Sequence, residues 1–453
     1  MEVTFAAEPT RLIIAALCGL AILLFLIIKF QVQALIAILI SALSIGLIAG
    51  MPMSMITDTV TKGMGKTLEG IALLVGLGSM FGAILEISGG AERIAISMMK
   101  RFGEKRAPWA LGITGMVVSI PVFFDAGLII LIPLAFSIAK RAKKSVLYFV
   151  IPLLAGLAVG HAFIPPTPGP ILVANILGVD LGLVIGLGLI CGAFSMIAAG
   201  PIWGNICGKN YNISVPHQYL DTKEFEEDKL PSFSSVVLII MVPLFLILIN
   251  SFLGIVPEGQ LTTVKSIFEF LGTPFVALLL ATLTAWVVLG LKHGYTRAEL
   301  EKVMTKSLEP TGLILLVTAG GGVLRYMLQD SGLGNIIGNA VAATPLPMIV
   351  VAFLIALAVR ISVGSATVAM TMAAGIVASM PAVSNLSPLY LACIVMAIAG
   401  GSTAASHFND SGFWLVKSLC ELDEKTTFKT WTIMETIVGF TGFFVALIVS
   451  FFA

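Results

Sequence analysis

The stretch Gly160-His161-Ala162-Phe163-Ile164-Pro165-Pro166-Thr167-Pro168-Gly169-Pro170 sets four prolines and two glycines between two strongly apolar segments. Each proline removes a backbone donor and clashes with the preceding turn, so no helix continues through it. The setting of that break matters as much as the break itself. Of the 453 residues, 58% are hydrophobic and only 11% charged, far from a soluble globule and typical of a polytopic helical membrane protein. At membrane depth, unpaired backbone survives only where it faces protein or a water-filled cavity. The break is therefore a candidate binding site. A second polar break, Ser406-His407-Phe408-Asn409-Asp410-Ser411-Gly412-Phe413-Trp414, follows about half a chain later in matching context.

A formal net charge of +1 gives no support for a nucleic-acid partner, and the basic residues sit in short loops between apolar segments. Cys18, Cys191, Cys207, Cys393 and Cys420 are scattered through apolar segments without the spacing of a metal or redox pair, and read as small core residues. The first apolar run, Leu12 to Ile28, follows an acidic start and lacks a small-residue cleavage site, so it reads as a retained span. No GxGxxG after a strand, P-loop, HExxH or GxSxG is present. The expectation is a protein that is not an enzyme and has no cofactor and no metal.

Apolar windows of roughly 17–25 residues mark spans. They fall at 11–28, 33–50, 67–87, 146–178 (broken at the prolines), 181–204, 233–254, 272–292, 308–328, 387–418 (broken at 406–412) and 427–452. Two apolar segments, 107–139 and 346–380, are too long for one crossing. Small or polar residues interrupt each, Pro121 to Gly127 in one and Ser362 to Thr367 in the other, which fits re-entrant hairpins with polar tips. Sliding the chain by about 243 residues brings Leu73-Leu74-Val75-Gly76-Leu77-Gly78 onto Leu316-Val317-Thr318-Ala319-Gly320-Gly321, hairpin onto hairpin and break onto break. The chain thus divides into repeat 1 (1–205), a cytoplasmic linker (206–232) and repeat 2 (233–453).

Five crossings per half is an odd number, so the second half lies upside down relative to the first. Charge tests this independently. On that topology 20 of the 26 Lys and Arg residues fall on one face, four (Arg11, Lys62, Lys66, Lys265) on the other, and Arg325 and Arg360 within apolar segments. The rich face is then cytoplasmic and both termini lie outside. The stretch 89–103 alternates Ile94, Ile96, Met98 and Met99 with charged residues and suits a helix lying in the membrane interface.

Inverted halves with two breaks and two hairpins are the ingredients of a secondary transporter whose site lies at mid-membrane, with helix N-termini aimed at an anion. Two inverted halves without a repeated charged ring favour this over a channel. Ser362, Gly364, Ser365 and Thr367 offer hydroxyls and exposed amides at the second tip, though such small residues also serve helix packing. Arg360 suits either a bidentate clamp on a substrate carboxylate or a structural ion pair with Asp410. Asp125, Asn409 and Asp410 are candidates for binding hydroxyls, and Asp125 and Asp410 for carrying a proton. His161 and His407 flank the breaks and either relay a proton or serve as buried structural groups. Glu86, Arg325 and Glu435 read as lying near span ends.

At these same residues the chain resembles the gluconate permease family of bacterial proton symporters. The matching pieces are Leu85 to Ala95, Pro121 to Gly127 with Leu131 to Lys140, His161 to Pro170, Val363 to Ala369, and His407 to Lys417, running across nearly the whole chain. The resemblance implies a dimeric, elevator-type inner-membrane carrier akin to the wider ion-transporter superfamily. Its substrate would be a small hydroxy-carboxylate, taken up with protons. His407-Phe408-Asn409-Asp410 and Arg360 resemble the gluconate members, whereas Thr167 and Asp125 depart from several of them, which carry histidine and glutamate there. With Phe124 and Thr167 added to the polar residues above, the expected site is complete. Carriers for D-serine or D-glycerate, or a substrate-sensing receptor without transport, are the alternatives.

Overall fold

The computed structural model describes residues 8–30, 32–216, 230–255, 261–332, 346–408 and 410–453. Among the described residues all regular structure is helical. The first half runs α1 (Pro9–Ile28), α2 (Ala34–Ala49), α3 (Met53–Ile87) and α4 (Gly90–Phe102), then α5 (Ala107–Val118) and α6 (Phe124–Ala142). It closes with α7 (Leu147–Phe163), α8 (Pro168–Leu177), α9 (Leu181–Ile197) and α10 (Trp203–Asn210). The second half runs α11 (Phe233–Ile255), α12 (Thr262–Leu271), α13 (Pro274–Ala285) and α14 (Arg297–Asp330), then α15 (Met348–Val363) and α16 (Ala366–Ala378). After these come α17 (Pro388–Thr403), α18 (Ser411–Leu419), the single turn α19 (Glu424–Thr427) and α20 (Ile433–Ser450).

Among the described residues six helical segments are long and apolar enough to cross a membrane, seven when the two arms of α3, bent by 42°, count as one. This makes the chain a multi-pass membrane protein. Several helices outrun their apolar windows. α3 starts at Met53 rather than 67 and α14 at Arg297 rather than 308, because charged residues such as Lys62, Lys66 and Glu301 are good helix formers outside the hydrocarbon. A Thr296/Glu299 capping box starts α14. Likewise α10 carries the helix to Asn210, into the stretch expected as linker, of which 217–229 lie outside the described residues.

The helix ends around the breaks follow from local chemistry. α7 stops at Phe163, the chain passes a cis Pro165–Pro166 bond, and α8 restarts with Pro168 in its first turn, where a missing amide costs nothing. α15 ends on Gly364 at φ 83, a left-handed cap that glycine adopts without a Cβ clash. Ser365 then caps α16 through its hydroxyl, and Asp410 caps α18 by accepting from the Gly412 amide at 3.1 Å.

These interrupted elements occupy the interior. In the α7–α8 segment 89% of the apolar window is buried, against 33% for α11, so α11 presents its surface to lipid while α7–α8 is surrounded by protein. α5 packs on α7 at backbone distance, because a Cβ on Gly156 would stand 2.0 Å from the Gly112 carbonyl oxygen. α15 and α17 meet in the same manner where Gly401 faces the Phe353 carbonyl.

The two halves meet through corresponding helices. Thr59 Oγ1 of α3 donates to Asp330 Oδ2 of α14 at 2.9 Å, Gly63 lies against Val323, and the Ser79 and Thr311 hydroxyls are 2.7 Å apart. Numbers rise along one helix as they fall along the other, so the two run antiparallel. The same holds for the last spans. Ser195 Oγ donates to the Val438 carbonyl at 2.9 Å, across a separation of 243 residues, and Trp203 Nε1 donates to the Thr430 carbonyl at 3.1 Å.

α4, expected as an interfacial helix, buries Ala91, Ile94, Ala95 and Ile96 on one face. From its opposite side Arg93 holds the carbonyls of Leu230 and Pro231, which fastens the end of the linker to the first half.

Candidate functional site

Helix starts converge on one cavity. α6 contributes Phe124, Asp125 and Ala126, α16 contributes Ala366 and Thr367, α18 contributes Ser411 and Gly412, and α8 contributes Pro168. Each is the N-terminal turn of a helix that resumes after a short interruption, at 119–123, 164–167, 364–365 and 404–410. Amides left without helical acceptors and an aligned dipole make such a terminus a ready anion site, and here four surround one volume, although Pro168 and Pro170 leave the first turn of α8 with the Gly169 amide alone. The cavity measures about 530 Å³, within the range of small-molecule sites.

Arg360, only 2% exposed, reaches the cavity from the last turn of α15. Its Nη2 donates to Asp410 Oδ2 at 2.5 Å and its Nη1 donates to the Gly364 carbonyl, so one guanidinium ties the second hairpin tip to the second break. Asp410 also accepts from the Ser406 hydroxyl, which in turn accepts from Trp431 Nε1 at 2.8 Å. Trp431 lies in the π-helical turn Phe428–Thr432 that leads into α20, and its ring meets Phe124 of the first hairpin at 5.4 Å. A chain of contacts thus runs from the last span through the second break to the second hairpin, with the first hairpin tip stacked on its end. The guanidinium is buried and the carboxylate mostly so, and removing either leaves an uncompensated charge.

Of the residues expected at the site, Phe124, Asp125, His161, Arg360, Gly364, Ser365, Thr367 and Asp410 line this one cavity. Thr167 does not join them. Its hydroxyl donates to the Ile164 carbonyl at 2.7 Å, and it faces a separate space of about 20 Å³, no larger than a water, between Val75, Val122 and Leu278. His407 sits outside the lining, with Nδ1 at 3.1 Å from the Ala405 carbonyl and its ring beside Phe408. Ser362 lies in the last turn of α15. Asn409 lies outside the described residues.

Lining residues that were not among those expected include Thr403, Trp431 and Glu435. Glu435 corrects its reading as a span-end group, since it is 4% exposed, faces the cavity, and has an Oε1 with no hydrogen-bond partner among the described residues. Trp431 and Glu435 are four residues apart on one helix face, the spacing that brings two side chains to the same wall. Glu86, read in the same way, is exposed, as a span-end group should be.

A family model described as GntP family permease matches residues 11–452. Over 438 residues, 96% of this chain and 98% of the relative, the chain is 39% identical to the low-affinity gluconate transporter of Escherichia coli K12. It is 36% identical over 432 residues to the L-idonate transporter of the Gnt-II system in the same organism, covering 95% and 97%. With the gluconate permease of Bacillus subtilis it shares 34% identity over 455 residues, covering 97% and 99%. Among solved structures, the fold is similar to that of the Alcanivorax borkumensis YdaH transporter, with a TM-score of 0.62, 13% identity and 87% of each chain covered. It is also similar to that of Neisseria gonorrhoeae MtrF, with a TM-score of 0.60, 15% identity, and 86% of this chain and 84% of that one covered. At such identities the likeness is one of fold.

Proposed function

The chain belongs to the GntP family of permeases, and from that membership we propose that it imports gluconate or a closely related sugar acid across the bacterial inner membrane, driven by protons. It is a transporter and not an enzyme. The observation that carries the substrate class is the meeting of four helix N-termini with the Arg360 guanidinium in one cavity. A carboxylate placed there gains the free amides of α6, α16 and α18 together with a charge-assisted bond, while Ser365, Thr367 and Asp125 face the sugar hydroxyls.

The transport cycle in this reading is alternating access by two inverted repeats. Antiparallel packing of α3 on α14 and of α9 on α20, each helix against the one that corresponds to it, supports an axis lying in the membrane plane. Hairpins and broken spans form the unit that moves, and the remaining spans form the frame of a homodimer. Both termini face the periplasm.

Proteoliposome uptake of labelled gluconate under an inward proton gradient tests the proposal. The expected result is accumulation that collapses with a protonophore. Carriage of D-serine or D-glycerate instead rejects the substrate. Sodium-dependent uptake indifferent to the proton gradient rejects the coupling. Binding without accumulation makes the protein a receptor.

A further inference from the structure

The charged groups of the cavity do not balance. One guanidinium, that of Arg360, faces three carboxyl groups, those of Asp125, Asp410 and Glu435. An anionic substrate adds another negative charge to this volume. The four helix N-termini, worth roughly +0.5 charge each, offset part of that repulsion, and a proton on one carboxyl removes a whole charge.

The three carboxyls are held differently. Asp410 is surrounded by donors, namely Arg360 Nη2, the Ser406 hydroxyl and the Gly412 amide, all of which bind the ionised form. Asp125 is exposed to the cavity in the first turn of α6, where the helix dipole favours a negative charge. Glu435 has neither kind of support. It is 4% exposed and Oε1 has no partner among the described residues, and α20 continues helically from the π turn before it, so Glu435 does not sit at a free N-terminus of its own helix. A buried carboxylate oxygen without a donor is costly, and protonation is the cheapest relief.

The elements packed on α20 bring few rivals. α9 carries Cys191, α17 carries Tyr390 and Cys393, α7 carries Tyr148 and His161, α15 carries Arg360, and the π turn before α20 carries Lys429. Of these Arg360 and His161 line the cavity, and Arg360 is already bonded to Asp410 and to the Gly364 carbonyl. A charged His161 would place a second cation beside Arg360, which disfavours that form.

Resting on the reading of the chain as a sugar-acid:proton symporter, we propose that the Glu435 carboxyl is the group that takes up and releases the coupled proton. Substrate carboxylate and proton then share one cavity and travel as a neutral pair. By linkage, what gluconate does for proton binding, the proton does for gluconate binding.

Full-length protein in proteoliposomes tests this with labelled gluconate and three readouts: uphill accumulation under a proton gradient, exchange of external label for internal unlabelled gluconate, and proton uptake on gluconate addition. The parent protein is expected to show all three. Glu435→Gln, isosteric and fixed neutral, is expected to keep exchange while losing both accumulation and gluconate-linked proton uptake. Accumulation at the parent's level overturns the assignment. Loss of exchange in a variant that elutes like the parent also overturns it, by placing Glu435 in sugar-acid binding. Should Glu435→Gln fail to fold, Glu435→Asp carries the test: its shorter carboxyl shifts the pH midpoint of gluconate-linked proton uptake, and an unshifted midpoint rejects the proposal. A parent protein that never accumulates gluconate under a proton gradient fails the symporter reading itself, before any variant is compared.

Discussion

Arg360 holds Asp410 and the Gly364 carbonyl while facing the cavity, so the structural pair expected from the sequence is present and the proposed substrate clamp would use the same side chain. A planar fork serves both, because it presents donors in two directions at once. Arg360→Lys is therefore expected to fold and to lose gluconate affinity by about tenfold or more, the worth of one charge-assisted bond at 1.5–3 kcal/mol. Titration calorimetry on the purified variant checks this, and an unchanged affinity would leave Arg360 with the structural role alone. At this scale the sequence was legible where polarity interrupts an apolar run, as at Asp125, Gly364 to Thr367 and Asp410. Glu435 was not, because one carboxyl among apolar neighbours reads alike at a span end and in a cavity wall. The available signal was Trp431 four residues before it, an aromatic and an acid on one helix face.

The interrupted helices owe their position to backbone-level packing, and this gives a contrast within one residue type. Gly156→Ala drives a Cβ to 2.0 Å from the Gly112 carbonyl oxygen, where α5 and α7 have no side chain to move aside. Overpacking of this kind costs about 1–3 kcal/mol, so a clear fall in thermal midpoint in detergent is expected. Gly186→Ala, on the open face of α9 with nothing within 4 Å, is expected to be neutral or to gain up to about 1 kcal/mol from helix propensity. Equal midpoints for the two variants would contradict the packing. Proline and glycine act on the local chain, and helices stop where they fall: α7 ends at Phe163 and α15 at Val363. Helix lengths were less legible. Hydropathy measures the depth of hydrocarbon and not the extent of backbone hydrogen bonding, so α3 and α14 extend beyond their windows.

Over the whole molecule, the sequence leads to an expected order of features at an offset of about 243 residues, and contact between the helices so paired does not follow from order. Ser195 bonded to Val438, and α3 lying along α14, are tertiary facts that required the folded chain. Of these four helices α20 alone contributes to the lining of the cavity where four helix N-termini, the Arg360–Asp410 pair and Glu435 come together. That convergence is the centre of the account. An electron cryo-microscopy map of the purified protein with gluconate tests it most directly. The expected result is ligand density in the cavity, its carboxylate within hydrogen-bond reach of Arg360 and the first turns of α16 and α18. Gluconate density at any other place in the fold would contradict it.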